Sequence, residues 1–245
     1  MPVSSAQPDG TIAKRRAVPT LILTVSRPAH ANAYTQAMLA ELHHHIEEAD
    51  ADPAIRAIVV TGEGDRSFCA GADRQEIATR DWRSVLTLAS ARVFERLRDS
   101  RCVTIAAING AAVGGGMELA LACDLRLAVP RARFWLPEPE FGLLPAAGGL
   151  RLLPREVGPL RARELILGGA VWTADDALKA NFLTEIADPP ALWDRVQAWI
   201  DRIAVRDIEA IRLAKQVLAS GAAGGDPNMD RLAQSLLVRH QRNQD

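Results

Sequence analysis

Residues 111–124 read "AAVGGGMELALACD". They follow "CVTIAAING" at 102–110, a nearly unbroken apolar run with strand character, and they open a run with helical spacing. A buried strand feeding straight into a buried helix belongs to an α/β design. Yet the helix begins with Gly114, Gly115 and Gly116, followed closely by Glu118. A glycine inside a helix costs about 1 kcal/mol against alanine. A buried, unpaired carboxylate costs more, or shifts its pKa and stays neutral. Two readings fit. The first N–H groups of a helix lack partners and lie at the positive end of its dipole. Glycine removes the Cβ that keeps a ligand off the backbone, so these residues can hold an anion or a developing oxyanion. Alternatively, the glycines allow close strand–helix packing and Glu118 is a first-turn acid facing water. The stretch alone does not decide between them.

Working outward, "PTLILTVSRP" (19–28) is a strand closed by Pro28, and "AIRAIVVTG" (54–62) is a second buried strand. Between them, Met38, Leu39, Leu42, Ile46 and Ala49 recur at helical spacing, with Asn32 as the expected N-cap. A further helix is expected over Trp82 to Leu97. Short strands follow at "LRLAV" (125–129) and "RFWL" (133–136), then a Pro/Gly-rich loop to Gly149. Most of the remainder is helical, and the last 60 or so residues carry helical pattern only. Strands buried on both faces and alternating with helices predict a largely parallel sheet.

A second small-residue corner lies in "RSFCAGADRQEI" (66–77). Ala70, Gly71 and Ala72 precede a helix with Asp73 at its start. Two such corners, each after a buried strand, can give one N–H apiece to the same oxygen, which is how an oxyanion hole is built. A tight turn capped by Asp73 explains Gly71 and Asp73 but not the small neighbours. A third stretch, "RFWLPEPEFGLLPAAGGLRLLP" (133–154), carries Glu138 between Pro137 and Pro139. If folding brings Glu118 and Glu138 together, one can activate water and the other can donate a proton. Taken alone, a Pro-Glu-Pro-Glu loop is more often a surface turn.

The chain has 245 residues, 48% hydrophobic and 24% charged, with a formal net charge of −1. No basic stripe with interleaved aromatics marks a nucleic-acid partner. The apolar runs are too short and too charged to span a membrane. The start, "MPVSSAQPDGTIAKRR", lacks the apolar core of a signal peptide. Cys69, Cys102 and Cys123 are scattered, which suits a reducing, cytoplasmic setting. Consecutive His43, His44 and His45 point in three directions on a helix and read as a solvated face, so no metal site is expected. Glu140 reads as a surface acid and Asp124 as a partner for backbone or arginine donors. Trp135 and Phe134 read as core or pocket wall, and a single tyrosine leaves few phenol acids to consider.

Together, these motifs resemble the enoyl-CoA hydratase/isomerase (crotonase) family. The matches are "RPAHANAY" for Pro-x-x-x-Asn-Ala, "SFCAGAD" for Phe-x-Ala-Gly-Ala-Asp, "INGAAVGGGMELALACD" for the Gly-Gly-Gly-x-Glu-Leu segment and "LPEPEFGLLPAAGG" for the Pro-Glu loop. "GGAVWTADDALKANFLTEI" resembles the later Ala-x-x-Ala segment. The matches run in order from about Thr20 to about Ser220. The resemblance implies an α/β fold with a spiral (superhelical) ββα core over residues 20–190. It also implies a C-terminal helical trimerisation region over 191–245. Residues 1–19 comprise the N-terminal segment, whose first nine or so residues are polar and read as mobile, and the approach to the first strand. It places Ala72 and Gly115 at the backbone N–H groups that hold a thioester oxygen. Ala31, Ala70, Gly71, Asp73 and Gly114 fall at substrate- and CoA-binding positions. Glu118 and Glu138 fall on the family's two glutamates, the first mainly the base on water, the second the proton donor to the α-carbon.

The implied activity is syn hydration of a 2-enoyl-CoA through an enolate-like state, with no metal or redox cofactor and with CoA as part of the substrate. Many isomerases keep only the second glutamate, whereas both are present here. Isomerisation of 3-enoyl-CoA, decarboxylation or hydrolysis on the same scaffold, and CoA-thioester binding without catalysis remain as alternatives. The expected assembly is a homotrimer or a dimer of trimers, with neither membrane nor nucleic acid as partner. Departures from the pattern are Ala29 for a lysine near CoA, Ala146 for a loop glycine, Asn181 for a helix-ending glycine, and the lack of a final Ala-Phe-x-Glu-Lys-Arg-x-Pro helix. Asparagine tolerates the left-handed geometry that glycine would supply.

Overall fold

The chain order explains how distant motifs become neighbours. A hairpin of β1 (Thr11–Ala17) and β2 (Thr20–Ser26) leads to α1 (Gln36–Ala51). A strand–strand–helix unit then repeats three times. The first turn is β3 (Ala57–Gly62), β4 (Ser67–Cys69) and three helices, α2 (Arg74–Ala78), α3 (Trp82–Leu86) and α4 (Ala89–Arg98). The second is β5 (Val103–Ile108), β6 (Ala111–Val113) and α5 (Gly115–Leu121). The third is β7 (Leu125–Ala128), β8 (Arg133–Trp135), a 3-10 turn at Glu138–Phe141, then α6 (Gly149–Val157) and α7 (Pro159–Ile166). After these come β9 (Trp172–Thr173), α8 (Ala174–Lys179), β10 (Glu185–Ile186), α9 (Leu192–Ala204), α10 (Ile208–Gly221) and α11 (Met229–Arg242). This computed structural model describes residues 10–221 and 228–242.

Two sheets result. One has six strands in the order β1-β2-β3-β5-β7-β10, the other four in the order β4-β6-β8-β9. Every pairing is parallel except β1–β2 and β8–β9. In each turn the chain leaves the large sheet, adds one strand to the small sheet, and bends into a helix or loop. Because β4, β6 and β8 lie side by side, the three corners that follow them do too. β3 and β5 are buried along their whole length, which is why they read as continuous apolar runs. Phe68, Phe94, Phe134 and Phe182 fill the core, Phe134 meeting Phe182 edge-on at 5.3 Å. Trp135 beside them is half-buried.

Four expectations are corrected. Residues 11–17 form an edge strand; among its residues only Ile12 is buried, and Lys14, Arg15 and Arg16 hide the pattern. The expected mobile residues 1–9 lie outside the described residues. The helix expected over 82–97 is two helices with a break at Thr87 and Leu88. Asn32 does not cap α1. It takes a left-handed φ of 59°, and its amide bonds Arg27 N, Glu63 O and Ser67 O, while Thr35 accepts from Met38 N as the cap. The strands β9 and β10, two residues each, have no readable alternation. Asn181 does adopt a left-handed φ, 61°, as its substitution for glycine implies.

Candidate active site

The first corner, 70–73, follows β4 and is locked from both sides. Ala70 N donates to Ala31 O, Tyr34 N to Gly71 O, and Asp73 N to Tyr34 O. Asp73 Oδ1 accepts from Gln75 N and Glu76 N at 2.8 and 3.1 Å, capping α2, and Oδ2 meets Arg27 at 2.6 Å. Both ionic side chains are about nine-tenths buried, and the Arg27 bond holds the Asp73 carboxyl below its ordinary value. Asp73 is thus occupied within the protein and positions the corner rather than presenting a free carboxylate. Ala31, on the rim, has a left-handed φ of 51°, and its carbonyl also accepts from Ser67 Oγ.

The second corner, 113–118, packs directly on the first. A Cβ added to Gly71 would lie 3.0 Å from Gly115 N. Gly114 has a φ of 52°, and its N–H donates to Trp135 O, joining this corner to the third. A Cβ on Gly116 would stand 1.9 Å from Cys69 O, so close packing of α5 on β4 accounts for that residue. A Cβ on Gly115 would stand 2.2 Å from the Tyr34 hydroxyl. Among the described residues, no hydrogen bond within the protein claims the N–H of Ala72 or Gly115. The structure therefore brings together the two corners and leaves two adjacent backbone donors free.

Glu118 is 4% exposed, which rules out the water-facing alternative for this acid. Its Oε1 accepts from Ala147 N and Gly149 N, each at 2.8 Å, from the loop leading into α6. Burial pushes its carboxyl up to about 7; the two N–H bonds oppose the rise and the Glu138 charge adds to it. Glu138 arrives on the third corner with its Oε1 over Gly114, 2.6 Å from where a Cβ would be. Its Oε2 is buried without a hydrogen-bond partner, and burial raises its pKa. The two carboxyls thus share one site, and a negative charge on one disfavours it on the other. Glu140, in the same turn, is exposed.

Tyr34 is the residue that sequence reasoning passed over. It is 4% exposed, lies edge-on to Phe94, and sits beside Ser90 and Glu118. Burial and the neighbouring acid hold its phenol above the ordinary value. The available signal was its place two residues after Asn32, in the loop that braces the first corner. His43, His44 and His45 face Glu47 and Glu48 on α1, and among the described residues no cluster of His, Cys, Asp or Glu is placed to hold a metal. Asp124 accepts from Thr104 N and Oγ1 and pairs with Lys215, a lysine rather than an arginine. No described helix is long and apolar enough to cross a membrane.

Two unclaimed N–H groups beside a carboxyl pair, one buried and one half-buried, make a site suited to a substrate that gains charge on an oxygen while exchanging protons nearby. A family profile described as Enoyl-CoA hydratase/isomerase matches residues 18–245. The crotonyl-CoA hydratase of Syntrophomonas wolfei is 35% identical over 213 residues, 86% of this chain and 80% of that protein. The 2,3-dehydroadipyl-CoA hydratase of Escherichia coli is 37% identical over 198 residues, 81% of this chain and 77% of that protein. A solved enoyl-CoA hydratase from Bacillus anthracis superposes with a TM-score of 0.88 at 30% identity, covering 94% of this chain and 91% of that one. The chain belongs to the enoyl-CoA hydratase/isomerase family, and its fold is the crotonase fold.

Proposed function

We propose that this protein is an enoyl-CoA hydratase, adding water in syn fashion across the double bond of a 2-enoyl-CoA thioester. The observation that carries the reading is the pairing of Glu118 and Glu138, both raised by burial, beside the free N–H groups of Ala72 and Gly115. In this reading those two N–H groups hold the thioester oxygen. As water attacks the β-carbon, negative charge moves onto that oxygen, where fixed donors in a dry site stabilise it most. Glu118, oriented through Oε1, takes a proton from the attacking water. Glu138, whose unpartnered oxygen favours the protonated form, delivers a proton to the α-carbon. One O–C bond and one C–H bond form, and the carbon–carbon double bond becomes single. The chemistry calls for no redox cofactor or metal, since the thioester itself is the electron sink.

Ala31, Ala70, Gly71 and Gly114 line the approach to the oxyanion position in this reading, and the expected assembly is a homotrimer or a dimer of trimers. Light scattering on the purified chain measures that mass. Three buried thiols suit a reducing cytoplasm. The two hydratases above are named for different acyl groups, crotonyl and 2,3-dehydroadipyl, so the reaction type is the shared element.

Incubation with crotonyl-CoA tests the reaction through loss of the conjugated-thioester absorbance. Loss of absorbance is expected. Glu118→Gln and Glu138→Gln should each slow it by about 10²–10⁴-fold. Wild-type rates in either variant would sink the two-carboxyl mechanism. No loss with crotonyl-CoA, combined with conversion of 3-enoyl-CoA, would replace hydration by isomerisation.

A further inference from the structure

Tyr34 takes no part in the proton transfers, yet it touches both halves of the oxyanion site. Its main chain pairs with Ala72 as an isolated parallel bridge. Tyr34 N donates to Gly71 O at 2.8 Å, and Asp73 N donates to Tyr34 O at 2.9 Å. Gly71 C=O and Ala72 N–H belong to one planar trans peptide, so they point in opposite directions. The bond that holds the carbonyl toward Tyr34 therefore aims the Ala72 N–H the other way. It also polarises the amide, which strengthens the donor at its other end. The second donor is aimed by the same device. Gly115 N–H shares its peptide with Gly114 C=O, which accepts from Glu118 N at 3.0 Å.

The two peptides are aimed by different segments, so something must also fix the distance between them. The Tyr34 side chain lies where it can. A Cβ on Gly115 would meet the phenol oxygen first, then Cζ at 3.1 Å and Cε1 at 3.3 Å. The end of the ring thus occupies the space of the side chain that Gly115 lacks. The ring is backed in turn: the residue is 4% exposed, Phe94 meets it edge-on at 5.8 Å, and Ser90 lies beside the hydroxyl. Burial and the Glu118 charge keep the phenol neutral, so no phenolate opposes a charge forming on the substrate oxygen. We propose that Tyr34 is a positioning residue: its main chain aims the Ala72 donor, and its phenol, seated on Gly115, fixes how far the second donor stands from the first. This rests on the hydratase reading above, in which a thioester oxygen sits between the two donors, and adds a residue to that site. A misplacement of about 1 Å costs about 10²-fold in rate, and the gap left by one oxygen atom is smaller in effect, about tenfold.

Two readouts on the full chain test this. The first is crotonyl-CoA hydration. Tyr34→Phe keeps the ring and the main-chain bonds and should lower kcat about tenfold, with KM within about twofold. Tyr34→Leu removes the ring as well and should lower kcat further. The second is the ionisation of bound acetoacetyl-CoA, followed through its enolate absorbance. That enolate puts negative charge on the thioester oxygen without a hydration step. The pH at which half of the bound thioester is ionised therefore reads the two donors. It should rise by about one unit in Tyr34→Phe, which is the same tenfold. A lower melting temperature with an unmoved midpoint would assign Tyr34 to packing alone and overturn the proposal. So would wild-type kcat and midpoint in both variants, or a fall in kcat without a shift in the midpoint. If the wild type hydrates no crotonyl-CoA, the hydratase reading fails, and the midpoint still decides for or against Tyr34. If the wild type neither hydrates crotonyl-CoA nor ionises acetoacetyl-CoA, both are overturned.

Discussion

At Gly115 a single hydrogen atom separates a working corner from a blocked one. The Cβ of an alanine there would stand 2.2 Å from the Tyr34 hydroxyl oxygen, so one of the two must move. If the backbone yields, its N–H turns away from the position it shares with Ala72. Removing one oxyanion donor costs about 10²–10³-fold in rate, and Gly115→Ala is expected to fall in that range. Tyr34→Phe, added to Gly115→Ala, deletes the clashing oxygen and should restore part of the loss. A double variant as slow as Gly115→Ala alone would show that the clash is not the cause. Glu118 carries the opposite trade, function held at a cost to stability. Its folded pKa of about 7 lies above the unfolded value of about 4.5. The unfolded chain therefore gives up this proton first as pH rises, and folding loses stability between pH 4.5 and 7. Glu118→Gln keeps an acceptor for Ala147 N and Gly149 N but cannot ionise. It should melt higher than the wild type at pH 8, by on the order of 1–3 kcal/mol, with the difference gone below pH 4.5. Parallel melting curves at every pH would contradict the burial account of Glu118.

At the scale of elements, the first corner depends on an ion pair that the second corner lacks. Asp73 caps α2 and binds Arg27 in a nearly water-free setting. Asp73→Ala would remove the cap and leave a buried guanidinium without its carboxylate, a loss of about 3–5 kcal/mol read from the denaturation midpoint. The Arg27→Met/Asp73→Leu pair should recover much of it, because no buried charge is then left over. If the pair is no more stable than Asp73→Ala, the damage lies in the cap. Elements such as β3 and β5 were legible in the sequence because burial on both faces leaves unbroken apolar runs. The corners at 70–73 and 114–118 were legible as unusual, since small residues and an acid stood where packing wanted neither. Their adjacency was not, because a parallel pairing such as Cys69 with Ala112 leaves no local trace. β1 escaped notice for a different reason: an exposed edge strand lined with Lys14, Arg15 and Arg16 has no apolar alternation to read. The break at Thr87 and Leu88 was hidden because both flanking segments keep helical spacing.

Across the whole molecule, the site is built by three turns of the spiral, and the C-terminal helices are attached to it from outside. α9 buries Leu192, Val196, Ile200 and Ile203 and is bound to the core by apolar area. α10 is not: its residues with a described side chain are half-buried or exposed, with Leu218 among the exposed ones. Its tie is Lys215, whose Nζ lies 2.7 Å from Cys102 O at the start of β5 and 2.7 Å from Asp124 Oδ2 at the end of the α5 turn. The lysine side chain is 13% exposed, so this contact is worth more than a surface ion pair, about 1–3 kcal/mol. Asp124 keeps its bonds from Thr104 N and Oγ1 whether or not the lysine is present. Lys215→Met should therefore leave the core and its melting temperature almost intact while loosening α10 locally. Amide exchange across 208–221 should speed up about 5- to 100-fold, with β3 and β5 as protected as before. Unchanged exchange in α10 would mean that Ile211 and its apolar neighbours hold the helix by themselves. Faster exchange throughout the core would mean that α10 and the spiral unfold as one cooperative body.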